Sequence, residues 1–208
     1  MDLSRSIALI VFLFPLAYSP GPGNAFFASV GASKGMRGAM PSLVGYHVAT
    51  FIVTMLIGLG LEVTLLSDPQ LMRWIELAGG LYVIWIGVQF LRAARIESTV
   101  TVEEGMAPRG VGFIDGAVVL LLNPKAYVII MLLFTQFLAP GDDRFGEVFF
   151  ISTIFTLNNL IAFIVWTLAG VAIAALLRGS AANRNLNILF GLSLIAVGVW
   201  MIWPAVFK

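Results

Sequence analysis

Apolar residues run along this chain in six long stretches, at 7–33, 40–66, 74–91, 111–138, 148–177 and 186–204, separated by short polar connections. Each is close to or above the roughly 20 residues that a helix needs to cross a hydrocarbon core. The pattern predicts an all-α integral membrane protein, a single domain over residues 1–208 with six transmembrane helices. Two of the stretches are interrupted near their centres, the first by SPGPGN (19–24) and the fourth by NPK (123–125). Proline lacks the amide hydrogen and clashes with the carbonyl one turn back, and glycine leaves helical geometry cheaply. The first and fourth helices are therefore expected to be broken. Backbone groups freed at a break cannot face lipid, so each break must be buried in protein or line a wet cavity. At 1.5 Å per residue both fall roughly halfway along a path of about 40 Å, where they can meet.

The polar connection 95–110 divides the chain into a first half of about 1–94 and a second of 111–208, three stretches each. An odd number of spans makes the halves opposite in orientation. GLYVIWIGV (80–88) and GLSLIAVGV (191–199) match at five of nine positions, both glycines included, at a spacing of 111 residues. At that spacing His47 in the second stretch falls opposite Asn158 in the fifth. Interrupted helices at corresponding places of two inverted halves are the best pointer in a sequence to a transporter's binding site. The alternative is a pair of packing kinks with no ligand.

Composition agrees, with 60% hydrophobic and 11% charged residues and a mean hydropathy of +0.98. The net charge of +1 hides an asymmetry: Lys34, Arg37, Arg92, Arg95, Arg109, Arg178 and Arg184 follow the first, third and fifth stretches. The positive-inside rule places those connections inside and both termini outside. The opposite ends carry Arg5, Arg73, Arg144 and Lys208 among more acids. The first stretch also has the outline of a cleavable leader, but its place in the repeat argues that it is kept. With no cysteine the chain offers no disulfide, thiolate metal site or thiol redox pair. The GPG of SPGPGN lacks the spacing and the preceding strand of a nucleotide loop, and the scattered basic residues make no nucleic-acid surface.

SPGPGN, GGLYVIWIG (79–87) and the run from Phe113 through Gly116 to LLNPKA (121–126) and TQF (135–137) resemble the LysE/RhtB family of amino-acid exporters over essentially the whole length. The resemblance implies a six-span inner-membrane protein that exports amino acids or related small compounds, with protons as the coupling ion. It implies no enzymatic activity, cofactor or metal. Thr135 and Asp115 depart from the family's usual pattern, which bears on substrate more than on fold. A structural or assembly subunit without transport is the competing reading, and self-association stays open.

The candidate substrate-binding residues are Pro20, Gly21, Pro22, Gly23 and Asn24 of the first break, Asn123, Pro124 and Lys125 of the second, and Asn158. An ammonium at mid-membrane is costly unless paired or solvated, so Lys125 either attracts a carboxylate or pairs with a protein acid and fastens the halves. Helices restarting after Gly23 and Asn123 aim positive ends at the same region. Asn24 and Asn123 can orient a substrate or cap broken backbone. Asn159 can add a cavity contact. His47 is a candidate proton carrier, or an interhelical bond. Asp115 is a candidate proton acceptor or gate, or an interfacial acid. Glu62 and Glu76 lie near the outer ends and are expected to be solvated. GASKG (31–35) and GFIDG (112–116) put small residues four apart, which predicts close helix packing. Tryptophans 74, 85, 200 and 203 include interface anchors.

Overall fold

The computed structural model describes residues 3–61, 69–96, 111–138, 143–176 and 180–207. The connection 95–110 lies outside them beyond Ile96 up to residue 110, as do Glu62, Arg109, Arg178 and Lys208. The described residues form helices α1 (Leu3–Tyr18), α2 (Pro22–Leu56), α3 (Pro69–Ile96), α4 (Phe113–Leu121), α5 (Pro124–Phe137), α6 (Arg144–Leu176) and α7 (Ser180–Phe207), with a π turn at Ile57–Leu61 ending α2. Both expected breaks are present. The first separates α1 from α2 at residues 19–21. The second separates α4 from α5, which are bent by 65° to one another.

Among the described residues three helical stretches can cross a membrane by length and composition alone, Pro22–Gly60, Arg73–Arg92 and Arg144–Leu176, with a fourth if the bent pair α4–α5 is one span. The stretch at 7–33 differs most from expectation. Its first part is the 16-residue α1, about 24 Å long. Its second part runs on into the next stretch as α2, which is kinked at Gly35 rather than interrupted. Gly35 has φ 66° and ψ 179°, a backbone region that essentially only glycine occupies. Nothing lies within 4 Å of where its Cβ would be. GASKG is thus half a packing pair: Gly31 abuts the Thr167 backbone while Gly35 turns the chain. GFIDG divides similarly, with Gly116 against the Ser42 backbone and Gly112 at the N-cap of α4.

Glycine decides how the helices pair. The most extensive contacts join α3 to α7 and α2 to α6, followed by α2 with α4. On the first pair a Cβ at Gly80 would stand 2.6 Å from the Gly198 carbonyl oxygen, and one at Gly198 as close to that of Gly80. Gly87 and Gly191 oppose each other in the same way, at 2.7 and 2.9 Å. The two helices therefore cross antiparallel with their backbones touching. Gly31 and Gly170 of the α2–α6 contact meet the backbones of Thr167 and Ala28.

Outside these contacts the helices present apolar stripes, such as Ile7, Val11 and Phe14 on α1 or Val44, Val48 and Ile52 on α2, all exposed. Trp74, Trp85, Trp200 and Trp203 are also exposed, as interface anchors require. Such surface needs an apolar covering, as the lipid around a membrane protein supplies. Inside, two apolar clusters form. One, around Phe26, Phe27, Tyr46 and Phe163, reaches to α3 and α7. The other, around Leu9, Leu13, Leu133 and Ile151, joins α1, α5 and the start of α6. The breaks lie at the seam between them.

Alanine at Gly35 should cost about 1–3 kcal/mol for backbone conformation alone. A lowered melting midpoint of Gly35→Ala in detergent, despite the open space around the position, checks this.

Candidate functional site

Breaking a helix leaves its last carbonyls without their usual donors. On either side of the first break the helical pattern holds as far as Pro15 O, which accepts from Ser19 N (3.2 Å), and resumes at Gly21 O, which accepts from Ala25 N (2.9 Å). Each carbonyl between them finds a replacement donor. Leu16 O accepts from the Ser19 hydroxyl (3.1 Å), Ala17 O from Asn24 Nδ2 (3.0 Å) and Tyr18 O from Trp166 Nε1 (3.3 Å). The remaining two, Ser19 O and Pro20 O, accept from Lys125 Nζ at 2.9 and 3.4 Å. Lys125 also donates to the Ser19 hydroxyl at 2.9 Å. An ammonium at the carbonyl end of a helix is stabilised by the helix dipole as well. Gly21 leaves room for it: a Cβ there would lie 3.1 Å from both Lys125 Cδ and Nζ.

The second break is closed from its own sequence. Asn123 is the N-cap of α5, its Oδ1 accepting from Lys125 N at 3.1 Å, and Pro124 occupies the first turn where its missing N–H costs nothing. Leu120 O accepts from Asn123 N (2.9 Å) and Leu121 O from the Tyr127 hydroxyl (2.9 Å). Asn123 Nδ2 donates to the hydroxyl of Tyr46 at 3.3 Å, linking this break to α2.

Between the breaks is a cavity of about 20 Å³, room for about one water. Asn24, Asn123, Lys125, Asn159 and the Tyr46 ring line it, with Phe163 among its apolar walls. Phe155, Asn159 and Phe163 come from one stripe of α6, four residues apart. As it stands the cavity is too small for any solute of amino-acid size.

Two arginines tie down one end of the molecule. Arg5 of α1 is ion-paired with Glu147 of α6 and donates to the carbonyl of Phe137. Arg144 donates to Gly58 O through Nε (3.2 Å) and Nη2 (2.9 Å). At the start of α4, Asp115 accepts from Gly112 N (2.7 Å) and from the Tyr82 hydroxyl of α3 (3.0 Å).

The family model described as LysE type translocator matches residues 14–203. This chain belongs to that family. LysE translocators are transporters rather than enzymes, and this one is a membrane protein. It is 29% identical over 187 residues to the homoserine/homoserine lactone efflux protein of Salmonella typhimurium, 88% of each chain. Identity to the Salmonella typhi protein of the same description is 30% over the same length and shares. It is 26% identical over 184 residues to the cysteine/O-acetylserine efflux protein of Escherichia coli K12, 88% of this chain and 90% of the other. No solved structure matches.

In this LysE translocator Asn24, Asn123 and Lys125 converge on the cavity, and Pro20, Gly21, Pro22, Gly23 and Pro124 form the breaks around it. Lys125 bonds to main-chain carbonyls and the Ser19 hydroxyl, and among the described residues no carboxylate is a hydrogen-bond partner of its ammonium. Asn158 is buried but absent from the cavity lining, and its Nδ2 has no partner among the described residues. Its neighbour Asn159 lines the cavity instead. His47 lines a separate apolar groove of about 510 Å³ between α2 and α6. Its Nδ1 is 2.7 Å from Leu43 O, and its buried Nε2 has no partner among the described residues. Asp115 does not reach the cavity, and Glu76 is half-buried on α3 and does not line it either. Sequence reasoning missed Tyr46, Phe163, Trp166 and the Ser19 acceptor. Only Ser19, inside SPGPGN, carried any signal.

Replacing Lys125 by methionine removes the donor of two carbonyls, and a buried acceptor left bare costs about 1–3 kcal/mol. Lys125→Met is expected to lower the melting midpoint in detergent by more than Ser19→Ala, which spares both carbonyl bonds.

Proposed function

We propose that this chain is a secondary active exporter of amino acids or related small carboxylate-bearing metabolites across the inner membrane, coupled to protons. The observation that carries the reading is Lys125 of the second half bonded to Ser19 and Pro20 of the first, at a cavity where both breaks meet. A substrate carboxylate entering there finds one ammonium and the N-terminal turns of α2 and α5, each a ready anion site. Asn24, Asn123 and Asn159 hold both donor and acceptor atoms for the rest of a zwitterion. The relatives described as efflux proteins for homoserine, homoserine lactone, cysteine and O-acetylserine support small amino acids as the cargo.

In this reading α1 with the start of α2, the rest of α2, α3, α4 with α5, α6 and α7 are six spans in two inverted halves. The glycine contacts support it. Gly80 and Gly87 correspond to Gly191 and Gly198 in the sequence repeat, yet Gly80 touches Gly198 and Gly87 touches Gly191. Such reciprocal contacts are what a two-fold relation between halves produces. Both termini are external. Transport proceeds as one half rocks against the other about the shared cavity. His47 is the candidate proton carrier, supported by ring contacts with Tyr46 (5.3 Å) and Phe163 (5.5 Å), which line the cavity. Asp115, pinned to Tyr82, is the candidate for a gate at the inner end.

Counterflow of an amino-acid panel in proteoliposomes, with and without a pH gradient, tests the reading. Saturable exchange of at least one small amino acid is expected, faster with the gradient, and abolished in Lys125→Ala that still inserts and purifies. Absence of binding and exchange across the panel overturns export; exchange indifferent to pH overturns proton coupling alone.

A further inference from the structure

The polar lining of the cavity contains one cation, three amides and a phenol; among the described residues no carboxylate lines it. The apolar part of the wall is uneven. Phe163 of α6 is 3% exposed, and its ring is packed between Tyr46 (centroids 4.7 Å apart) and Phe27 (4.9 Å). Its tip rests on the first break: a Cβ on Gly23 would lie 2.7 Å from Phe163 Cζ and 3.3 Å from the Tyr46 hydroxyl. The ring fits there only because residue 23 has no side chain. Tyr46 in turn is fixed from the other side by Asn123 of the second break. The Phe163–Tyr46 pair thus spans from one break to the other.

We propose that Phe163 sets the size of the transported side chain, restricting this translocator to small uncharged ones. The inference rests on the exporter reading of the same cavity. A zwitterion whose carboxylate meets Lys125 keeps its side chain within a few ångströms of that anchor. The neighbouring wall is then Phe163 and residues such as Ile129 and Phe155. The present space holds about one water, so a substrate must displace wall. Asn24, Asn123 and Lys125 are committed to closing the breaks. The rings of Phe155 and Phe163 make no such bond, and of the two it is Phe163 that abuts Gly23 and packs on Tyr46, at the meeting of both breaks. A basic side chain is excluded separately. Its ammonium would be desolvated beside Lys125 with no acid to pair it, an arrangement far too costly to compete with neutral cargo.

The test is competitive counterflow in proteoliposomes with homoserine, leucine and lysine for the parent, Phe163→Leu and Phe163→Ala. In a fitted apolar pocket a single methylene changes discrimination by about 10- to 200-fold. The leucine-to-homoserine flux ratio is expected to rise at least tenfold in Phe163→Ala and by less in Phe163→Leu, with lysine excluded by all three. Loss of packing alone would lower all fluxes together and leave the ratio unchanged. An unchanged ratio in Phe163→Leu and in whatever Phe163→Ala can be purified monodisperse overturns the proposal, as does lysine transport by the parent. A parent that exchanges no amino acid overturns the exporter reading beneath it, whereas an active parent with an unmoved ratio overturns only the role of Phe163.

Discussion

A helix broken inside a membrane has carbonyls that neither water nor lipid can satisfy, and the arrangement of this molecule follows from where their donors come from. Each unsatisfied group costs several kcal/mol in hydrocarbon. From Leu16 to Pro20 five successive carbonyls lack the amide four residues on, and all five are bonded to side chains. Two donors, Ser19 and Asn24, lie within the break or just after it. Trp166 and Lys125 come from far along the chain, from α6 and α5. The first break therefore cannot close until the second half is in place, whereas the second break caps itself through Asn123. This asymmetry explains why only one break carries two glycines and two prolines. The first must stay open enough for a lysine side chain to pass Gly21, while the second needs only an N-cap and a first-turn proline.

The features legible in the sequence are those written in residue types with few uses. Proline and glycine in mid-stretch have no role in an uninterrupted apolar helix, so both breaks could be placed to within a residue or two. A lysine at mid-membrane has few ways to be satisfied, so Lys125 could be singled out, although the backbone carbonyls that bind it left no mark. The glycines of α3 and α7 were visible because they recur with their neighbours. Gly35 was misread because a glycine four residues from another fits close packing as well as a turn, and only φ distinguishes them. Asn158 and Asn159 show the limit of periodicity. Adjacent helical positions differ by about 100°, so an offset error of one residue moves the amide from cavity to helix interface. Tyr46 and Phe163 were illegible for a simpler reason: aromatic residues fill any membrane core, and nothing local marks the two that bridge the breaks.

The contacts holding the helices together are of two kinds, and they differ in how readily they can change. Glycine contacts between α3 and α7 and between α2 and α6 bring backbone against backbone, so sliding would drive neighbouring side chains into carbonyls. The contacts at the molecule's ends are side-chain bonds: Arg5 with Glu147, Arg144 with Gly58 O, Tyr82 with Asp115. Those can be exchanged for water at modest cost, since solvent reaches the ends of the spans. Lys125 is intermediate. Its ammonium serves carbonyls that water can take over only where the cavity is wet, so in the proposed transport cycle its bonds are the ones exchanged as the cavity opens. The interaction that lets a broken helix exist in lipid is therefore also the one whose cost depends on whether the cavity is filled. That dependence, rather than the strength of any single bond, is what a site at the meeting of two breaks provides.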